Sequence, residues 1–445
     1  MTKRERRAAL VYPHDPKYHG EREMLNRISH VEGIENFPSL GLLSIAPFFG
    51  PEWDLTFVDE DRLAQEGKPR DYLGEDFDMV LLTAMNHQAY QAYRIARHFR
   101  QRGIHTVMGG PHASALPGEA ARHVDTVVTG EGEEVMPRLL LDFDRGNPLP
   151  LYSASGRQNL SSLPPPRFDV VKEPGFYNKI PLFATRGCPR HCSFCCLKAL
   201  YGPIYRKKTP RQVAGEIEAA KGLLPDPFIS FADENMLADR RWAGELAEAI
   251  APLGVKWEAY CDVSAAEHPE MLEMLARSGC VELLIGFETL CRESLKSADP
   301  WKAMQVEKYA ACIKRIQDAG IGVLACFVVG FDHDGPDTFN RLRDFLLENP
   351  VFELDIAALT PMPGTPLHQR LAMEGRLFSR KWDDYTWYHV NFQPMHLSAR
   401  EITDGIRRVF SEFYAPGAVK ARERTFRHIQ ERIPDPCGRQ GSPAT

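Results

Sequence analysis

Twice along this chain, short apolar runs rich in β-branched residues alternate with stretches patterned as amphipathic helices, and a Pro/Ser/Gly-rich interruption separates the two trains. Alternation of that kind commits a chain to parallel sheets, because each crossover between parallel strands needs a helix-sized connection. In the first train, strands are expected at 8–12, 55–58, 79–83, 106–108 and 126–128, with helices at 42–49, 88–102, 118–123 and 133–143. The pattern predicts a doubly wound α/β sheet, in which ligands sit beyond the carboxyl ends of the strands. Those ends carry His14, Thr83, the turn Gly109-Gly110-Pro111-His112 and the run Gly130-Glu131-Gly132.

The second train begins at Pro181, with strands expected at 182–185, 228–232, 256–260, 282–287, 323–329 and 355–359 and helices at 211–224, 240–251, 269–278, 306–319 and 336–347. Such a succession predicts a partial (β/α)6 TIM barrel with its chemistry at the strand C-termini. The expected division is a front domain over 1–146, a linker over 147–179, a barrel over 180–373 and a polar, mostly helical extension over 374–445 that frays from Ile433. At 43% hydrophobic and 26% charged residues, with a net charge of -6, bulk charge offers nothing to a polyanion, so no nucleic-acid partner is expected. No apolar run approaches the roughly 20 residues of a membrane span, and the start MTKRERRAAL has no long apolar stretch after its charges, so a cytoplasmic protein is expected.

Ten unevenly spaced cysteines point to metal or redox chemistry rather than to a disulfide framework, and four of them fall in the run Cys188-Pro-Arg-His-Cys192-Ser-Phe-Cys195-Cys196. The spacing C-x3-C-x2-C can wrap three thiolates around one cubane and leave an iron open. It directly follows the first barrel strand, which places it at the reactive face. A zinc knuckle completed by Cys196 or His191 is the competing reading. Cys261, Cys280, Cys291, Cys312 and Cys326 read as buried small hydrophobes. Trp382, Tyr385, Trp387 and Tyr388 could line a substrate pocket or pack the C-terminal helices onto the barrel.

With this spacing in this place, Cys188, Cys192 and Cys195 make the chain resemble the radical S-adenosylmethionine (SAM) superfamily. The resemblance implies a [4Fe–4S] cluster on those cysteines, SAM on the open iron, and reductive cleavage to a carbon radical fed by a one-electron donor such as flavodoxin or ferredoxin. It implies that Phe194 packs near the adenine, and that Asp233, Glu234 and Asn235 in Phe231-Ala-Asp-Glu-Asn235 meet the SAM amino group, although no Gly-Gly precedes the acid. Glu288 in Gly286-Phe287-Glu288-Thr289 would suit the ribose hydroxyls. Gly330, in Val328-Val-Gly-Phe331-Asp332, and the run Leu359-Thr-Pro-Met-Pro-Gly-Thr-Pro-Leu367 would border SAM.

The front sheet resembles the B12-binding, Rossmann- or flavodoxin-like domain of class B radical SAM enzymes. Phe37-Pro-Ser-Leu-Gly-Leu42, Val58-Asp59-Glu60, Gly109-Gly-Pro-His112 and Gly130-Glu-Gly-Glu133 carry the likeness. Glycine turns there, Gly109 and Gly110 among them, let a large planar ligand or its nucleotide tail approach the backbone. The Asp-x-His-x-x-Gly loop that supplies a cobalt-ligating histidine is absent, since Pro16 and Lys17 follow Asp15. His112 is therefore expected near the corrin or its tail rather than on cobalt, and cobalamin occupancy stays open. Pro363-Gly-Thr-Pro-Leu-His-Gln-Arg-Leu371, Glu374-Gly375-Arg376 and Trp382 resemble the branch with hopanoid methylases and bacteriochlorophyll ring cyclases, in which many chains run longer at the C-terminus.

The reaction so implied is cobalamin-dependent methyl transfer to an unactivated carbon of a small molecule. Two alternatives stand beside it. SAM could be cleaved the other way, releasing a 3-amino-3-carboxypropyl group onto a soft acceptor such as trivalent arsenic, with Cys196 as the motive. Or the cysteines could serve a zinc-binding or electron-transfer module without catalysis.

Overall fold

A computed structural model of the chain describes residues 5–29, 36–156, 158–202, 204–224 and 227–431. The first train forms β1 (Arg6–Tyr12), β2 (Trp53–Asp59), β3 (Met79–Thr83), β4 (His105–Gly109), β5 (Thr126–Thr129) and β6 (Leu151–Ser153). They make one parallel sheet in the order β2-β1-β3-β4-β5-β6. Helices cover both faces, so the central strands are continuous apolar runs: Ala8, Ala9, Leu10 and Val11 are all fully buried. Burial of that kind contributes about 1.5–3 kcal/mol for each large aliphatic side chain. The crossover reverses between β1 and β3, and the crevice it opens lies at their C-terminal ends.

The second train gives β7 (Ile180–Leu182), a short antiparallel ribbon of β8 (Thr185–Arg186) and β9 (Arg206–Lys207), and then β10 (Phe228–Phe231), β11 (Lys256–Cys261), β12 (Cys280–Glu288), β13 (Gly322–Val329) and β14 (Glu353–Ala358). Six of these form a parallel sheet in the order β14-β13-β12-β11-β10-β7. The sheet stays open as a partial barrel, and the free edge of β14 is capped by the C-terminal segment. Ala358 N donates to Trp387 O at 2.7 Å, while the Tyr414 hydroxyl meets Leu354 N and O at 3.3 and 3.2 Å. Unpaired edge groups are thereby satisfied.

Three expectations change. The segment 147–179 is not a free linker: β6 within it adds a sixth strand to the front sheet, and Phe168, Val170, Val171 and Tyr177 are buried in the main core. The expected strand 182–185 is split, because β7 ends at Leu182 and the chain then turns into the ribbon that carries the cysteines. In the C-terminal extension, helices start only at Ala399 (Ala399–Phe413, Pro416–Thr425 and Arg427–Gln430), and between the helix ending at Met373 and that point the described backbone has the turn Trp382–Asp384 and a single antiparallel bridge between Leu377 and Phe392. Fraying from Ile433 lies outside the described residues. A helix at Pro16–Ser29, too weakly amphipathic to stand out in the sequence, leads away from β1. Among the described residues no helix is long and apolar enough to cross a membrane.

Candidate active site

Gly187, at φ +84°, turns the chain out of β8 into Cys188; a side chain there would meet Ile204 O at 2.5 Å. The cysteine loop is then pinned at Ser193, whose N–H donates to Ala298 O and whose carbonyl accepts from Leu367 N, both at 3.0 Å. Cys188, Cys192, Cys195 and Cys196 are all half-buried. Burial pushes the Cys195 thiol up to about 12 and raises Cys188 and Cys192 as well, so thiolates there need a cationic partner. Tetrahedral zinc, with Zn–S near 2.3 Å, requires its ligand atoms close together. No three histidine, cysteine or carboxylate ligand atoms of this loop lie within 4.8 Å of one another among the described residues, so the loop is not gathered into a compact mononuclear site.

Side chains from the neighbouring strand ends surround the loop. Asn235 Nδ2 lies 3.9 Å from Cys188 Sγ and 2.9 Å from Asp262 Oδ2, and Arg190 Nε reaches the same oxygen at 2.9 Å while its guanidinium covers the Trp301 ring. Cys192 Sγ donates to Asp299 Oδ2 at 3.5 Å. Glu288 sits at a bulge between β12 and β13, at φ +65°, paired with buried Lys302. Glu234 accepts from Gly187 N at 3.0 Å, and burial pushes its carboxyl up to about 8. Phe194 meets Phe331 edge to face at 5.6 Å.

Two of the expected SAM residues point elsewhere. Asp233 is fully enclosed and spends both oxygens on Ala184 N, Thr185 N and the Thr185 hydroxyl, at 2.5–3.2 Å, tying β10 to the ribbon. Gly330, at φ +112°, gives its N–H to Asp334 at 2.8 Å, and its Cα faces Ile402, Leu359 and Phe392 in the C-terminal layer. Lys302, Arg190 and Asp262 were not singled out from the sequence, where each is an isolated charge in a helix or loop. Cys196 opens the helix Leu197–Tyr201 near the Glu234 carboxylate. Cys261, Cys280 and Cys312 are buried as expected, whereas Cys291 and Cys326 are half-buried.

At the carboxyl ends of β1, β3, β4 and β5, a cavity of about 260 Å³ is lined by Thr83, Gly109, Gly110, Gly130, Glu131 and Glu133 among others. Gly110 is obligatory here: its φ is +87°, and a Cβ would meet Thr83 Oγ1 at 2.3 Å. The cavity's volume falls just below the ~300–1,000 Å³ that encloses a drug-sized ligand. His112 does not line it. The ring is fully buried behind it, bonded to the Tyr93 hydroxyl at 2.6 Å and to Asn86 Oδ1 at 2.9 Å, and desolvation pushes its pKa down to about 4. Trp382 packs on that histidine and donates to Glu119 at 2.6 Å, and Tyr385 is buried beside Trp382. Those two aromatics therefore dock the C-terminal segment on the front sheet, not on the barrel.

Arg186 joins the two sites. It lies two residues before Cys188, lines the cavity, and is held by Glu131 at 2.6 Å and by Glu133, with Arg206 also on Glu131. A glycine-walled cavity on a B12-type sheet and a three-cysteine loop on a partial barrel thus share one wall. That combination defines a radical SAM enzyme with a B12-binding domain.

Family comparisons agree. The Radical SAM superfamily matches residues 182–346, the B12 binding domain residues 36–140, and a domain of unknown function (DUF4070) residues 365–443. The chain is 32% identical over 393 residues to the bacteriochlorophyllide d C-12(1)-methyltransferase of Chlorobaculum tepidum, covering 86% of this chain and 84% of that one. It is 28% identical to the hopanoid C-2 methylase of Rhodopseudomonas palustris, covering 81% and 68%. The structure of the cobalamin-dependent SAM radical enzyme OxsB, with aqua-cobalamin and SAM bound, superposes with a TM-score of 0.70 at 14% identity, over 96% of this chain and 71% of that one. The chain belongs to the cobalamin-dependent radical SAM methyltransferase family, whose cofactors are a [4Fe–4S] cluster, SAM and cobalamin. As in that family, it acts on a small molecule with an external electron donor. These relatives lend no support to 3-amino-3-carboxypropyl transfer to arsenic, and that alternative is withdrawn.

Proposed function

We propose that this enzyme methylates an unactivated carbon of a bulky, largely apolar polycyclic molecule, and that a flavodoxin or ferredoxin supplies the electron. The observation that carries the reading is Arg186, a wall of the B12-type cavity that opens the cysteine loop two residues later. When bound, the cluster and SAM supply hydrogen abstraction and cobalamin supplies the methyl group. The chain's own residues hold those groups next to one another. Arg186, clamped by Glu131 and Glu133, fixes the spacing of the two sites, and the buried ion pairs cannot slide without exposing unpaired charge. Asn235 and Asp299 contact the sulfurs of Cys188 and Cys192, while Lys302 sets a positive charge beside Cys192 and orients Glu288.

Polycyclic substrates in both named relatives support the substrate class, as does the aromatic surface where Tyr18 stacks on His87 at 4.5 Å and meets Tyr388 and Trp387. Trp387 adopts φ +65°, a conformation a bulky residue takes only when its surroundings enforce it, and such strain clusters at functional positions. The test is anaerobic turnover of the cobalamin-supplied, cluster-loaded enzyme with methyl-deuterated SAM and a panel of chlorins and polycyclic terpenoids. Equal 5′-deoxyadenosine and S-adenosylhomocysteine with a deuterated methyl in the product is the expected result. Methylthioadenosine as the sole SAM product would refute methyl transfer, and turnover only of small polar molecules would refute the substrate class.

A further inference from the structure

Asp59, Glu60 and Asp61 follow one another where β2 runs into the helix Glu60–Gln65, and burying three adjacent carboxylates requires a partner for each. Two are accounted for within the fold. Asp59 caps that helix by accepting from Asp61 N and Arg62 N, at 2.9 and 3.1 Å, and takes the Tyr177 hydroxyl at 2.9 Å. Glu60 accepts the Tyr72 hydroxyl at 2.6 Å and pairs with Arg70. Asp61 meets no lysine or arginine among the described residues. It faces two imidazoles instead, with His14 Nδ1 2.5 Å from Oδ1 and His19 Nε2 2.9 Å from Oδ2.

The three donor atoms lie within 4.8 Å of one another, and no other group of three metal-ligating side chains converges this closely among the described residues. The two rings stack at 5.2 Å with 12° between their planes. His14 lies two residues beyond β1, in the short link to the helix Pro16–Ser29 whose first turn carries His19, and Asp61 is in the first turn of Glu60–Gln65, so regular elements hold or immediately flank all three. Side-chain exposures of 22%, 21% and 12% leave all three partly in reach of solvent. A second observation bears on the same place. His19 Nδ1 and Asp15 Oδ2 are both buried without a hydrogen-bond partner, and His19 is near enough to act electrostatically on the Asp15 carboxylate. Metal-binding imidazoles commonly have a carboxylate behind the ring that steadies the nitrogen not bound to the metal.

We propose that His14, His19 and Asp61 bind a divalent transition-metal ion of the zinc class, separate from the cysteine loop. Two imidazole nitrogens and one carboxylate suit zinc or ferrous iron, and three protein ligands leave a position for water. Bound metal would tie the helix Pro16–Ser29 to the front sheet beside Tyr18, and so steady the aromatic surface formed with His87, Trp387 and Tyr388.

The experiment loads anaerobically reconstituted full-length enzyme, cluster in place, with one equivalent of zinc. The sample is then passed through metal-free buffer, zinc per chain is measured, and the zinc K-edge X-ray absorption is recorded. One retained zinc with only nitrogen and oxygen neighbours near about 2.0–2.1 Å is expected. Asp61→Asn and His19→Gln should each weaken zinc binding about 100-fold or more, the upper end of what disturbing even an outer partner costs. Sulfur neighbours near about 2.3 Å would put the ion on the cysteines and overturn the proposal. So would failure of the wild-type protein to retain zinc, or full retention by a folded His19→Gln variant. Because the absorption spectrum of the wild-type protein decides the ligand set by itself, a variant that fails to fold leaves the test intact.

Discussion

The two strand edges that meet at Arg186 are built from opposite materials. The barrel edge uses charged and polar side chains that hold one another: Asn235 with Asp262 and Arg190, Glu288 with Lys302, and Asp299 with Cys192. The front edge uses glycines and backbone around a cavity whose charged lining is confined to the Arg186–Glu131–Glu133 wall, while the His112–Tyr93–Asn86 chain is buried behind it. A site made of functional groups tolerates change in volume better than change in chemistry; a site made of empty space does the reverse. The difference predicts which substitutions each half survives.

The sharpest contrast is expected at Cys192. If Cys192 is one of three cluster ligands, as the C-x3-C-x2-C spacing implies, its replacement with Ala should bring both iron–sulfur absorption and 5′-deoxyadenosine formation to background. Corrin retention by the front domain should be unchanged. If 5′-deoxyadenosine persisted in that variant at matched iron content, the barrel edge would have to be rebuilt around other ligands. Next in size is the shared wall. Arg186→Met leaves Glu133 buried without its partner and Glu131 with Arg206 alone, at a cost of about 3–5 kcal/mol. Urea denaturation would measure it, and pairing the change with Glu133→Gln should recover part of the loss. A loss no larger than that of an exposed ion pair, about 0–1 kcal/mol, would mean that the wall is wet.

This asymmetry also governs what the sequence discloses. The parallel strands stand out because burial on both faces demands unbroken apolar runs, and all five strands expected in the front sheet form. β6 is hidden because an edge strand of three residues, Leu151–Ser153, with its two outer side chains exposed, carries no such run. The cysteine loop is legible because its three thiols are dense in sequence and follow a strand at a fixed spacing, which needs no tertiary information to see. Asp233 misleads for a physical reason: an acid after a barrel strand can serve a ligand or two backbone N–H groups, and sequence does not say which way it turns. Lys302, Arg190 and Asp262 are silent for the converse reason, since their roles come from tertiary neighbours distant in sequence. His112 follows a genuine glycine turn, but the helix that begins at Gly110 carries its ring behind the cavity.

Volume is the next way to separate the two edges. Gly110→Ala forces a side chain into a left-handed conformation and against Thr83 Oγ1, at a cost of about 1–3 kcal/mol. Corrin retention after desalting should fall while iron per chain stays at the wild-type value. If iron were lost in step with corrin, the two edges would be one cooperative unit rather than two sites joined by a wall.

The smallest expected effect tests whether His112 is sealed. Its imidazole is held neutral by desolvation, with Tyr93, His123 and Glu119 nearby, and titrates at about 4 when folded against 6.5 in an ordinary setting. The unfolded chain therefore binds the extra proton first as pH falls, so this residue leaves stability untouched above about pH 6.5 and subtracts from it between there and pH 4. At pH 5 the loss is about 1–2 kcal/mol relative to pH 7.5. His87, also pushed down to about 4, contributes with the same sign, so the measured quantity is the difference between wild type and His112→Gln. Urea midpoints at pH 7.5 and pH 5 should converge for the pair as pH falls, because only the wild type carries this penalty. Parallel midpoints at both values would mean that the ring is solvated, and would return His112 to the cavity from which the structure removes it.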